Sequence, residues 1–221
     1  MNGPFALVIA LTIVIGLVIH ARLGFSGEVA VSVWVGLLVA VLFRRGSSAD
    51  RRAFAACLGL AVAGEWFLSA FWGVYEYRDG RIPFYVPPGH VLLYVLGLWG
   101  ARVMPERFSR RIHVGILVAT ALLGLSHLDE FSVLLLLFFL GVDRAVIARP
   151  PYPVLFALAF GLEVLGTRLG IWAWRNPVPA FGLVTLNPPF AAGSFYCVLA
   201  WLVSFARPEP RRSVVEIVPA G

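Results

Sequence analysis

Residues 4–19 read PFALVIALTIVIGLVI, a run without one charged side chain. A hydrocarbon core of roughly 30 Å needs about 20 predominantly apolar residues per helix, so this run with its flanks can cross a bilayer. Outward from it the pattern recurs at Val29 to Phe43, Phe54 to Val74, Val91 to Val103, Val114 to Leu125, Phe131 to Val142, Pro153 to Trp172 and Phe190 to Phe205. Charged or proline-rich breaks separate these runs. The expected fold is an all-α, polytopic membrane bundle of about eight transmembrane helices. No positive n-region precedes the first run and no clear small-residue cleavage site follows it, so it reads as a span and not a signal peptide.

Composition points the same way. Hydrophobic residues make up 60% of the chain and charged ones 14%, with a mean hydropathy of +0.86, whereas a soluble domain carries about 25% charged residues. The 221 residues hold seven or eight spans with short loops, hence a single integral membrane domain over residues 1–221. The net charge of +6 comes from residues scattered over those loops, with no basic stripe or recognition module, which argues against a nucleic-acid partner. Every basic residue is Arg, so a lysine Schiff base is excluded. Cys57 and Cys197 fall inside spans and read as packing residues, neither a disulfide framework nor a metal site.

Arginine placement predicts orientation, because cytoplasmic loops carry the excess. One set of alternate loops holds Arg44, Arg45, Arg51 and Arg52, then Arg102, Arg107, Arg110 and Arg111, then Arg144 and Arg149; the tail adds Arg207, Arg211 and Arg212. The opposite loops hold only Arg22, Arg78, Arg81 and Arg175, while Arg168 lies in a span and snorkels outward. An even number of spans with both termini cytoplasmic follows, in the cell's inner (plasma) membrane, with residues 208–221 as a cytoplasmic tail.

Two outer connections resemble each other. Glu65 precedes Gly73-x-Tyr75-x-Tyr77, then Pro87-Pro88 and a new span; Glu163 precedes Gly170-x-Trp172-x-Trp174, then Pro188-Pro189 and a new span. This predicts two parallel four-helix repeats, residues 1–105 and 110–207, related by a pseudo-twofold axis along the membrane normal.

Glu65 and Glu163 are the candidate catalytic groups. An ionisable side chain inside a span costs about 2.5 to 3.5 kcal/mol or more and usually faces a cavity or a partner. A neutral carboxylic acid beside an apolar substrate is a good general acid. The competing role is structural: Ser69 and Thr167 each follow their Glu by four residues, and either hydroxyl could satisfy it along the helix. Trp66, Trp72, Tyr75, Tyr77, Trp172 and Trp174 form either an interfacial aromatic belt or the wall of a cavity that stabilises a cation. His90 and Asn187, beside the double prolines, would orient water or a polar substrate end, or cap the loops. His127, Asp129 and Glu130, adjacent in sequence, read as a hydrated turn and not a metal site.

Glu163-x-x-Gly166-Thr167-x-x-Gly170 with its alternate aromatics, and Gly73-x-Tyr75-x-Tyr77 behind Glu65, resemble elements of the bacterial and archaeal carotenoid biosynthesis membrane proteins. That family includes hydratases that add water across a terminal double bond of a carotenoid. Here the elements are split or partly doubled, and Trp172 and Trp174 stand where the family has tyrosines. The resemblance covers about a fifth of the chain and implies hydration, cyclisation or isomerisation of an isoprenoid without a cofactor. Glu65 or Glu163 would donate the proton, the other Glu or His90 would position water, and the aromatic rings would bind the substrate. A proton-coupled carrier and a non-catalytic lipid-binding partner are the alternatives.

Overall fold

The computed structural model describes residues 3–145 and 151–206, with only the backbone of 143–145. Arg149, the tail 208–221 and its approach, including Arg207, Arg211 and Arg212, lie outside the described residues, as does the side chain of Arg144.

Gly24 decides the shape of the first helical element. Helix α1 runs Gly3–Arg45, 43 residues, which as a straight rod would reach about 64 Å. At Gly24 the backbone takes φ 58°, ψ −135°, outside helical space. Trp34 Nε1 then donates to Thr12 Oγ1 at 3.0 Å, although residues so separated in a straight helix would stand about 33 Å apart. Helix α1 is therefore a hairpin of two arms, residues 3–23 and 25–45. Gly16 lets the arms close up, since a Cβ there would lie 3.1 Å from Val31 Cγ1.

Helix α2, Ser48–Glu65, opens with a capping box in which Ser47 and Asp50 satisfy each other's backbone amides. It runs on into a π-turn, Trp66–Phe71. Helix α3 spans Val86–Val103 and begins several residues before the expected Val91, because its prolines sit in the first turn, where no intrahelical N–H bond is needed. Then follow α4 (Glu106–Leu125), α5 (Glu130–Ala145), α6 (Tyr152–Arg168), a 3-10 turn (Phe190–Ala192) and α7 (Gly193–Phe205).

The expectation of an all-helical chain needs correction at one place. The outer connections after the third and seventh expected spans, with Trp172 from the end of the latter, form strands β1, Tyr75–Tyr77, and β2, Trp172–Trp174. These pair antiparallel, Tyr75 opposite Trp174 and Tyr77 opposite Trp172. Gly73 (φ 72°) and Gly170 (φ 65°) make the exits, using left-handed backbone open to glycine.

Helix α2 packs on α3 and α6 on α7, while α1 lies against α3 and α5 against α7. Helices α3 and α6 cross at Gly97, where a Cβ would come within 2.7 Å of Leu155 Cδ1. Among the described residues, three helices are long and apolar enough to cross a membrane, Gly3–Arg45, Ser48–Phe71 and Glu106–Leu125, while Glu130–Val142 and Phe190–Phe205 are shorter apolar helices. Large apolar side chains such as Leu7, Trp34, Leu37, Leu122 and Leu137 face outward, while His20, Glu28, Glu65, Asp129 and Glu163 are buried. That polarity is the reverse of a soluble protein's.

Replacing Gly24 with Ala tests the hairpin. No atom lies within 4 Å of the site a Cβ would take, so the expected loss of about 1–3 kcal/mol reports backbone strain alone. Thermal unfolding in detergent measures it, and an unchanged transition contradicts the assigned turn.

Candidate functional site

Strand alternation builds the site. In β1 and β2 the outer residues Tyr75, Tyr77, Trp172 and Trp174 point inward and are buried, while Glu76 and Ala173 between them face out. Glu76 meets Arg175 at 2.9 Å on the exposed side. The inward rings carry four polar hydrogens, and these find the two carboxylates. Tyr75 and Tyr77 hydroxyls each donate to Glu65 Oε2 at 2.7 Å. Trp172 and Trp174 Nε1 donate to Glu163 Oε2 at 2.8 and 3.1 Å. One strand thus serves the glutamate of the helix that precedes it, twice.

The sequence gaps differ by one residue: Glu65 lies ten before Tyr75, and Glu163 nine before Trp172. The π-turn after Glu65 holds the extra residue, with Trp72 N–H donating to Phe67 O at 2.7 Å. Without that bulge the first strand would present its other face, because a one-residue slip inverts every side chain.

Glu65 and Glu163 are each 6% exposed. Each Oε2 meets two aromatic donors, and at Glu163, where both are indole N–H groups that only donate, a proton on the carboxyl sits on Oε1. Those remaining oxygens face partners. His90 Nε2 is 3.5 Å from Glu65 Oε1, and Tyr196 O–H donates to Glu163 Oε1 at 3.3 Å. His90 Nδ1 lies 2.9 Å from the Val86 carbonyl; a carbonyl only accepts, so Nδ1 carries a hydrogen and neutral His90 presents a lone pair to Glu65. The His90 ring stacks on Tyr196, centroids 4.9 Å apart and 10° from parallel. Glu65, His90, Tyr196 and Glu163 form one connected group.

A cavity of about 480 Å³ opens beside them. Its wall includes Glu65, Glu163, His90, Tyr196, the four ribbon aromatics and Trp72, and continues over apolar residues of α1, α2, α3 and α7. The volume falls within the roughly 300–1,000 Å³ of small-ligand sites.

Most of the expected site residues meet here; two do not. Trp66 is 58% exposed and stacks on Phe71 at the outer surface, since the π-turn swings it away from the cavity. Asn187 uses Oδ1 to accept the Trp174 amide at 3.0 Å, so it braces β2 from behind and is a capping residue rather than a cavity one. His90 lies inside α3, a full turn from its start and two residues after Pro88. The helical hydroxyls do not take the place of the ribbon: Thr167 Oγ1 donates to the Glu163 backbone carbonyl at 2.8 Å. His127 and Glu130 do form an exposed turn, but Asp129 beside them is fully buried. It accepts from Ser132, Thr185 and the Phe190 amide.

Tyr196 was missed by sequence reasoning. Its signal was available, a lone phenol in an apolar run, but nothing in the one-dimensional pattern placed it against Glu163. Glu28 was missed too: Arg81 grips both its oxygens at 2.8 and 2.7 Å, and the Phe84 amide adds a bond at 3.1 Å.

Gly166 explains the spacing Glu163-x-x-Gly166. A Cβ there would run into the Trp172 ring. Gly166→Ala should therefore push Trp172 off Glu163, changing near-ultraviolet circular dichroism and lowering stability by about 1–3 kcal/mol, the cost of overpacking. Gly64→Ala, inside α2 with nothing within 4 Å, should leave the circular dichroism unchanged and should not lower stability.

No family model matches the chain, and no curated protein or solved structure matches it.

Proposed function

We propose that this chain is a membrane-embedded acid–base enzyme that adds, moves or removes a proton on the alkene of an isoprenoid-like lipid. The observation that carries this reading is the pair of buried carboxylates in an aromatic-walled cavity. Each has one oxygen saturated by aromatic donors and the other turned toward His90 or Tyr196. At Glu163 this arrangement directs a proton to Oε1, because indole N–H groups only donate.

In the proposed reaction Glu65 Oε1, partnered by His90 Nε2, gives its proton to an alkene carbon. The π bond breaks, a C–H bond forms, and the neighbouring carbon becomes cationic. The faces of Trp172, Trp174, Tyr75 and Tyr77 stabilise that charge, each cation–π contact contributing about 2 kcal/mol when desolvated. Glu163 Oε1 then takes a proton, either from carbon, which yields an isomer or a ring, or from water adding to the cation, which yields an alcohol. A methyl-branched alkene suits this chemistry because its cation is tertiary. The resemblance to carotenoid biosynthesis proteins supports an isoprenoid over a straight acyl chain.

The same reading makes the chain an eight-crossing protein of the plasma membrane, each arm of α1 being one crossing. Both termini are cytoplasmic, in agreement with the alternation of arginine-rich loops. Two parallel four-helix halves, within residues 1–105 and 110–207, account for the repeated carboxylate–ribbon geometry. They also account for α1 packing on α3 as α5 packs on α7.

The test is expression of the wild-type chain beside Glu65→Gln and Glu163→Gln, with extracted lipids compared by mass spectrometry. A product that is heavier by one water, or isomeric with its precursor, should appear in the wild type. Both variants should lose it by about 100-fold or more, the scale of general acid–base catalysis. Unchanged lipids together with glutamate-dependent proton flux in proteoliposomes would overturn the enzyme in favour of a carrier.

A further inference from the structure

At the ribbon end of the bundle a second buried group stands apart from the carboxylate pair. His20, at the end of the first arm of α1, is 1% exposed. Its Nδ1 lies 2.8 Å from the Tyr85 hydroxyl. Its Nε2 has no hydrogen-bond partner among the described residues and points between two carboxylates, Asp79 Oδ2 at 3.6 Å and Glu28 Oε2 at 4.0 Å. A buried imidazole nitrogen left without a partner is destabilising, so its retention calls for a reason.

A metal ion is a poor account of it. Arg81 occupies both oxygens of Glu28, and Arg78 Nε lies 3.6 Å from Asp79. Two guanidinium groups already balance the two carboxylates, leaving no net negative charge for a cation.

A path for protons fits better. Asp79 is 40% exposed and open to water. Tyr85, on the far side of His20, is part of the wall of the cavity that holds Glu65 and His90. We propose that Asp79, His20 and Tyr85 form a proton relay joining water at the ribbon end of the bundle to that cavity. The proposal rests on the acid–base reading of the cavity, in which Glu65 must regain a proton and Glu163 lose one after each turnover, and water can supply and take up both.

The atoms balance. A proton passes from the Asp79 carboxyl or water to His20 Nε2. The Nδ1 proton leaves to the Tyr85 oxygen, and the phenol releases its own proton to water in the cavity, where 480 Å³ leaves room for several molecules of about 30 Å³ each. One proton enters and one leaves. The ring then holds its hydrogen on Nε2, with Nδ1 accepting from Tyr85, and a ring flip or the reverse passage restores the first tautomer. Glu28, held by Arg81, faces Nε2 and stabilises the imidazolium; Arg78 opposes it and limits its lifetime. Tyr85 packs edge-on to the imidazole, centroids 5.5 Å apart, and so holds the ring in line.

The experiment is a rapid pH jump on the full chain in lipid nanodiscs, followed by infrared absorption of the cavity carboxyls. Their bands are identified by loss in Glu65→Gln and Glu163→Gln. Tyr85→Phe removes one oxygen and keeps the ring; His20→Gln removes the imidazole. Both should slow the carboxyl response about tenfold or more while its final amplitude stays the same, as expected when a proton carrier is deleted. Should His20→Gln not fold, Tyr85→Phe decides alone. Equal rates in the wild type and a folded variant, or no wild-type carboxyl response between pH 4 and 9 (about the span over which buried carboxyls titrate), would overturn the relay. Lipid products play no part in this readout. Loss of lipid chemistry with relay kinetics intact would count against the acid–base enzyme alone.

Discussion

A carboxylate placed among apolar helices must be paired or hydrogen-bonded, since an uncompensated buried charge costs several kcal/mol. The architecture around the site follows from meeting that demand twice. Helices α2 and α6 each bury a glutamate, and the donors do not come from the helices. They come from a two-stranded ribbon whose inward rings end in O–H or N–H. Hydrogen bonds to a charged group contribute about 1.5–3 kcal/mol each, so two per carboxylate offset much of the desolvation. Tyrosine and tryptophan suit the task because each brings one donor on a large apolar body. Glycine is required where the chain turns out of the helix at Gly73 and Gly170, and where a ring lies on the helix at Gly166.

A second pair of buried carboxylates fixes the segments that follow the strands. Glu28, near the start of the second arm of α1, holds Arg81 and the Phe84 amide. Asp129, just before α5, holds Thr185 and the Phe190 amide. Each tethers the stretch leading from a strand into the next helix, and so sets where α3 and α7 begin. The partners differ, a guanidinium in one case and a hydroxyl in the other. Only the first neighbourhood contains a buried histidine that reaches the cavity wall through Tyr85. The two ends of the ribbon are thus alike in scaffold and unlike in the polar groups they bury.

Much of the helical plan was legible in the chain itself, because apolar runs and their breaks are local. The double prolines marked the starts of returning helices, and Gly73 and Gly170 marked the ends of the preceding ones. Glu65 and Glu163 stood out by being charged inside apolar runs, and the alternation Tyr75-x-Tyr77 and Trp172-x-Trp174 already carried the period of a strand. In an outer connection the same alternation fits an interfacial belt or a cavity wall, and the sequence does not say which strand it pairs with. The one-residue mismatch between the two motifs was visible but uninterpretable, because a π-turn is a backbone event with no residue signature. Trp66 and Asn187 were placed at the cavity on nearness in sequence, and Tyr196 was overlooked for the same reason.

The sequence by itself determined which segments are helical, which side chains must be shielded from lipid or water, and which residues could act as acids. These depend on hydropathy, helix-ending residues and burial cost, all properties of short stretches. Only the tertiary structure decided that the two strands pair, that Oε2 of each glutamate takes two aromatic donors while Oε1 meets His90 or Tyr196, and that His20 stands between Asp79 and Tyr85. Those contacts join residues from 9 to 65 positions apart, together with strand partners 95 to 99 positions apart. Directional hydrogen bonds depend on where packing brings a donor, and no local pattern encodes that.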